Sequence, residues 1–470
     1  MTEKELWSGR FSDRLDPAAL NFSSSPEDAK LFKHDIMGSI AHAGGLKLAR
    51  LLTQQEFREI SGGLVDIYRE NASDPRLFLE GEEDIHMAVE GRLTALRPDA
   101  GRKLHTARSR NDQIATDMRL YVREETAGIA RMVLALQKTL LSVARAHRRT
   151  AMPSYTHLQR AQPVFLSHHM LAHFWRLERD FDRFRGNSVR LNASPLGAGA
   201  IAGTSHPIDT RYTAKLLGFS RPFSNSMDAT SDRDFVVDAC FANAMTALHL
   251  SSIAEELVLW SSTEFSYIEL PDSLSTGSSI MPHKKNPDMA EHIRGRSSSV
   301  FSALFEVMSI LKSLPVGYAS DMQHTKKPLF SSFDTLSSML SLVAPLLKGI
   351  KFNRKALHSS ASDEFSFSVE AVDAMVRSGT PFREAHEIVG RAVRESLDTG
   401  RSFRETLNAH GIALPEDAFA AIEIRSSRGG SSSTSIAHQL RDASATLSAE
   451  AAWVRRETGR LTAIERRLLR

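Results

Sequence analysis

The sequence predicts a mainly α protein with long helices bundled at its centre and smaller helical regions at its N- and C-terminal ends. Three observations predict it: wide windows without proline, apolar residues recurring every three or four positions, and few alternating strand patterns. Proline lacks an N–H and has a fixed φ, so it stays out of helix interiors. None lies between Pro98 and Pro153, between Pro222 and Pro271, or between Pro287 and Pro315.

In the first window Ile114, Met118, Tyr121, Ile129, Met132, Val133, Leu136, Leu140 and Val143 keep the helical period. A helix from about Asp112 to Arg148 would be on the order of 50 Å long at 1.5 Å per residue. The period continues after Pro163 with Phe165, Phe174, Leu177, Phe181 and Phe184, and after Arg233 with Val237, Phe241, Met245 and Leu248. It returns after Pro287 with Met289, Ile293, Val300, Leu304, Val307 and Leu311. Antiparallel packing of these helices as a bundle follows. The first hundred residues mix short segments with turn signals, and the last hundred read as shorter helices, one started by Thr380-Pro381. The expected division is 1–108, 109–360 and 361–470.

Composition narrows the class. With 470 residues, 41% hydrophobic and 24% charged, the chain is an ordinary globular one, and its net charge of +3 comes without the basic runs of a nucleic-acid tail. Cys240 is the single cysteine, which excludes an intramolecular disulfide and removes Cys-based zinc patterns. No signal peptide is visible behind the first Met and no 18-residue apolar run occurs, so the expectation is a cytoplasmic protein without a membrane span. Leu196 to Gly203, LGAGAIAG, superficially resembles a nucleotide loop. It lacks the Walker lysine and a preceding strand, so it reads as a turn where backbones approach closely.

The most informative stretch is Asp272–Asp288, DSLSTGSSIMPHKKNPD. Its Gly and Ser residues, two prolines and dense donors (Ser278, Ser279, His283, Lys284, Lys285, Asn286) make an irregular loop suited to closing over an anion. Ser109, Arg110 and Asn111 open the longest helix, where backbone amides and the dipole also favour anions. On composition alone they read equally as a cap, and Glu291 reads equally as a first-turn dipole partner.

GSSIMPHKKNPD resembles the signature loop of the fumarase/aspartase superfamily at every fixed position from Gly277 to Pro287. KLHTARSRNDQIATDMRL (Lys103–Leu120) and SYTHLQRAQPVFLSHH (Ser154–His169) resemble the argininosuccinate lyase branch of that family. LWSGRF near the start, LGAGAIAG, NSMDATSDRDF (Asn225–Phe235) and PFREAHEIVG (Pro381–Gly390) extend the likeness over most of the chain. The resemblance implies a fumarase/aspartase-like fold and a β-elimination that breaks a C–N bond and releases fumarate. It implies no metal or organic cofactor, a small anionic substrate, no nucleic-acid or membrane partner, and a homotetramer with each active site drawn from three subunits.

The resemblance also assigns roles. Ser278 matches the base that takes the Cβ proton, and Lys284 and Asn286 match the pair that stabilises the aci-carboxylate. His157, just ahead of a helix, matches the general acid, and Glu291 the carboxylate that orients it. Ser109, Arg110, Asn111 and Thr156 match the dicarboxylate pocket. Tyr318, Gln323 and Lys326 match positions that hold the amino-acid end of the arginine moiety. Arg233, with Asp84 and His86 of the DIHMAVE run, matches further pocket positions, and Ser24 or Ser25 matches a serine that contacts the arginine moiety.

Four departures stand out. The family reads QEDK where this chain has Gln323-His324-Thr325-Lys326, the FSSSPED segment is altered near Ser24, and Ala107 and Ser154 replace glycines. The leading function is cleavage of argininosuccinate in arginine biosynthesis. Release of fumarate from another N-substituted aspartate, such as a diaminodisuccinate, and a crystallin-like structural role are the alternatives.

Overall fold

The computed structural model describes residues 16–79, 82 and 84–470, so LWSGRF lies outside the described residues. The chain is mainly helical, as the periodicity requires. Helix α1 spans Phe32–Leu48 and α2 spans Arg110–Ala146. At 37 residues α2 is about 55 Å long. Its start is fixed by a capping box, in which the Ser109 hydroxyl accepts from the Asn111 N–H at 3.2 Å and the Asp112 carboxylate accepts from the Ser109 N–H at 2.9 Å. The predicted stripe from Ile114 to Leu140 is buried except at Met132, which is partly exposed.

The chain then turns back through an antiparallel hairpin, β1 (Ala151–Thr156) and β2 (Gln159–Phe165). This corrects the placing of His157 just ahead of a helix: His157 and Leu158 form the two-residue turn, with φ of 56° and 58°. Two positive φ values match the twist of hairpin strands. The strands escape a periodicity reading because Pro153 and Pro163 face each other across them and interrupt the alternation.

Helix α3 (Leu166–Arg190) follows, then α4 (Asp234–Ser261), a small hairpin of β3 (Thr276–Gly277) and β4 (Lys285–Asn286), α5 (Asp288–Leu311) and α6 (Lys326–Gly349). Helices α2 and α3, α4 and α5, α5 and α6, and α6 and α2 pack pairwise into the bundle. On α3, Phe174, Leu177, Phe181 and Phe184 are buried. Each such side chain contributes about 1.5–3 kcal/mol by leaving water.

Two helices depart from the expectation. Helix α6 carries Pro345 inside its last turns, so a proline-free window does not outline it. The C-terminal region ends in a 36-residue helix, α7 (Ser433–Leu468), where shorter helices were expected, and it packs along α2 and α3. Its inward residues Ile436, Leu440, Val454, Ile464 and Leu468 are sparse. Ala, Glu and Arg favour the helix more than an apolar stripe does.

Among the described residues Arg110–Ala146, Asp234–Ser261 and the run Ser320–Gly349 are long and apolar enough to cross a membrane by length and composition, which a search for uninterrupted apolar runs does not register. Their apolar windows are 56%, 61% and 50% buried inside the chain, as inner helices of a bundle would be. Exposed apolar side chains include Phe241 and Leu248 on α4 and, outside those three runs, Phe305 and Met308 on α5.

Candidate active site

The start of α2 is tied to the glycine-rich loop by one carboxylate. Asp112 is fully buried, and its second oxygen accepts from the Gly197 N–H at 2.9 Å and the Gly199 N–H at 3.0 Å. The adjacent Asn111 side chain donates to the Ala200 carbonyl at 2.9 Å. Gly199 has φ +61°, and a Cβ there would sit 2.7 Å from the Gly203 carbonyl oxygen, so LGAGAIAG is a close backbone approach folded onto the helix. Arg110 donates to Gln113 at 2.9 Å and pairs with Asp84 at 3.3 Å. Ala107, one of the departures, holds φ +60°, the conformation that makes glycine natural there.

Asp84 links this end to a second set of residues. Asp28, on the 3₁₀ helix Pro26–Leu31 that follows Ser24 and Ser25, forms a fully buried pair with Lys326 at 2.5 Å. Burial pushes the Asp28 carboxyl up, and Lys326 and His86 oppose it. Gln323 donates to the Tyr318 hydroxyl at 2.6 Å, while its own amide oxygen has no partner among the described residues. Arg233 is buried, its Nη1 donates to the Asp232 carbonyl at 2.8 Å, and its Nε and Nη2 have no partner among the described residues. Burial lowers that guanidinium to about 10, and Tyr318 lies within electrostatic reach of it. A charged fork with two unused donors can receive a carboxylate. His86 is also buried, and the Asp35 carboxylate accepts from its Nδ1 at 2.9 Å.

Of the departures, the FSSSPED segment reaches into this set through Asp28, whereas His324 and Thr325 make no bond to it. His324 is exposed, and the Thr325 hydroxyl donates to its own turn's Met322 carbonyl at 2.7 Å. Ser154 lies in β1 and donates to the Gln162 carbonyl at 2.5 Å, a cross-strand bond that glycine could not make.

The signature loop forms the β3–β4 hairpin, with Ser278 at its head. The Ser278 oxygen accepts from the Met281 N–H at 3.0 Å and the Ile280 N–H at 3.3 Å. Two amides aimed at one oxygen favour the form that carries more negative charge. Lys285 is committed to the frame, donating to the Leu270 carbonyl and to Asp272, each at 2.5 Å. Lys284 is exposed without an ion pair among the described residues, and Asn286 sits in the strand opposite Thr276.

Within one chain these pieces do not all meet. Thr156 and His157 are exposed at the tip of the β1–β2 hairpin. Glu291 is exposed in the first turn of α5 and contacts Arg294 at 3.8 Å, with no bond to His157. The structure therefore joins Ser109, Arg110, Asn111, Arg233, Tyr318, Gln323 and Lys326 into one region, and among the described residues no hydrogen bond or ion pair ties Ser278, His157 or Glu291 to it. Asp28 and Asp112 were missed by sequence reasoning. A capping-box spacing, Ser109 to Asp112, was the available signal for the second.

A model of the lyase family matches residues 9–302, and a model of the argininosuccinate lyase C-terminal region matches residues 365–427. The argininosuccinate lyase of Symbiobacterium thermophilum is 44% identical over 447 residues, covering 93% of this chain and 97% of that protein. A structure of EDDS lyase in complex with formate superposes with a TM-score of 0.84 at 26% identity, covering 96% of this chain and 93% of that one. A class II fumarase from Schistosoma mansoni, 15% identical with a TM-score of 0.71 over 84% of this chain and 89% of that one, shares the fold. Matched in sequence over nearly its whole length and in fold across these lyases, the chain belongs to the argininosuccinate lyase family of the fumarase/aspartase superfamily.

Proposed function

We propose that the chain cleaves argininosuccinate to arginine and fumarate by anti β-elimination, in arginine biosynthesis. The observation that carries the choice of substrate is the intact distal set, in which Lys326 faces Asp28 and Gln323 faces Tyr318, while His324 and Thr325 turn away from it. The relatives' name adds support.

The reaction needs a base, an acid and donors for developing charge. Ser278, its oxygen held by two amides, takes the Cβ proton. The electron pair moves into the neighbouring carboxylate, where Lys284 and Asn286 stabilise the aci-carboxylate. As it returns, the C–N bond breaks, the C=C bond of fumarate forms, and His157 gives a proton to the departing nitrogen, oriented by Glu291. Ser109, Arg110, Asn111 and Thr156 hold the dicarboxylate end. Arg233, Tyr318, Gln323 and Lys326, with Ser24 or Ser25, hold the arginine end. Ordered donors can supply this charge stabilisation without a resident metal or organic group.

Ser278, His157 and Glu291 stand apart in one chain, so the reading requires neighbouring subunits to complete each site. We place the chain in a homotetramer assembled through the exposed apolar residues of α4 and α5, and in the cytoplasm with other soluble enzymes of amino-acid metabolism. Following fumarate absorbance with a panel of N-substituted aspartates tests the substrate: turnover of argininosuccinate is expected, and turnover of a different adduct alone overturns the reading. Ser278→Ala is expected to lower kcat by about 10²–10⁴-fold, with helix content unchanged, because the hydroxyl's partners are two amides of its own loop. Undiminished turnover would remove Ser278 as the base.

A further inference from the structure

Among the described residues, two sets of three side chains bring candidate ligand atoms within 4.8 Å of one another. One is Asp35, His86 and Asp117, beside the candidate active site. It is sealed from solvent, which leaves an ion no path in, and burial together with Asp35 pushes the Asp117 carboxyl well above the usual carboxylate range.

The other set is His169, His173 and Glu256. The two histidines are four residues apart on α3 and therefore project from one face of the helix. Glu256 projects from α4, which packs against α3. One oxygen of Glu256 lies 2.7 Å from His169 Nε2 and 2.8 Å from His173 Nε2. His173 is almost buried, whereas the His169 and Glu256 side chains are 23% and 30% exposed. An ion can therefore enter from one side and keep a water on its open face. Trp260 lies against the His169 ring, centroids 5.0 Å apart, and restricts how that ring can turn.

We propose that His169, His173 and Glu256 form a transition-metal site, with Zn²⁺ as the fitting ion, that ties α3 to α4 outside the catalytic region. Two imidazoles and a carboxylate with one open position suit zinc and its neighbours, and two nitrogens argue against Mg²⁺ or Ca²⁺. Zinc–ligand lengths of about 2.0–2.2 Å place tetrahedral donors about 3.3 Å apart. Each nitrogen–oxygen separation would widen by roughly half an ångström, within the reach of small χ adjustments.

The test uses the whole enzyme in its native assembly, stripped with a chelator and desalted. Titration with Co²⁺ is followed by visible absorption, and bound Zn²⁺ by elemental analysis. One equivalent per chain, and a thermal midpoint that rises with Zn²⁺, are expected. His173→Gln keeps a polar partner for Glu256 but removes a good ligand, so it should weaken binding at least tenfold, the smallest loss usual for residues that merely support ligands. Fumarate release should be unchanged. Glu256→Gln provides a second variant if the first folds poorly. Absence of saturable binding to the wild type, or wild-type affinity in both variants, overturns the proposal.

Discussion

Replacing Asp112 with Asn exchanges one heavy atom and should disturb two segments at once. The carboxylate accepts from Ser109 on one oxygen and from Gly197 and Gly199 on the other, all three as backbone N–H groups. An asparagine must turn its amide nitrogen towards one side. Facing Ser109 it forfeits one bond, and facing the glycines it forfeits two. Hydrogen bonds to a charged group contribute about 1.5–3 kcal/mol each, and an unmatched buried N–H costs a further 1–3 kcal/mol or so. The expected loss is therefore about 3 kcal/mol or more. Asn111, bonded to Ala200 of the same loop, would lose its fixed position, so kcat/KM for fumarate release should fall by roughly 10²-fold. Urea unfolding followed by circular dichroism, at one fixed protein concentration, measures the first quantity, and fumarate absorbance the second. A variant that is destabilised yet keeps wild-type kcat/KM would refute the claim that Asp112 sets the substrate end. A variant of unchanged stability would refute the bond count itself.

Two further outcomes follow from buried charge. Lys326→Met leaves Asp28 without its partner and should cost about 3–5 kcal/mol, with KM rising more than kcat falls; Asp28→Asn in the same chain should restore part of the stability, and a single variant as stable as wild type would contradict the buried pair. Glu450 titrates near neutrality: burial pushes its carboxyl up from 4.5 to about 7, against an opposing bond from Gln137. Because the folded value is the higher one, this contribution is full below about pH 4.5, declines as pH rises towards 7, and is gone above it. Glu450→Gln should match wild type at pH 4 and exceed it by a few kcal/mol at pH 8, at about 1.4 kcal/mol per pH unit between the two values; parallel urea midpoints across that range would exclude the effect.

The long helices were legible because burial along α2, α3 and α5 writes a period of three and four directly into the sequence, whereas on α4 the residues that kept the period include Phe241 and Leu248, which are exposed. Helix α7 was not, since Ala, Glu and Arg make a helix while leaving few apolar marks, and α6 hid behind Pro345. The β1–β2 hairpin was hidden by Pro153 and Pro163, and its positive-φ turn at His157 and Leu158 lacks the usual Gly or Asn. In the candidate site, the motif residues were legible through resemblance. Asp28 and Asp112 were not, because their importance lies in partners 298 and 85–87 positions away along the chain. Sequence order does not reveal such pairs.

The apolar side chains that α4 and α5 leave in water, Phe305 at 71% exposure above all, bear on how the protein comes into being. A newly completed chain would be an adhesive intermediate. In the proposed tetramer, recovery of activity after dilution from denaturant depends on encounters between chains, so its rate rises with concentration. The same surface favours misassembly when encounters are non-specific. Yield should pass through a maximum, set by competition between ordered association and aggregation.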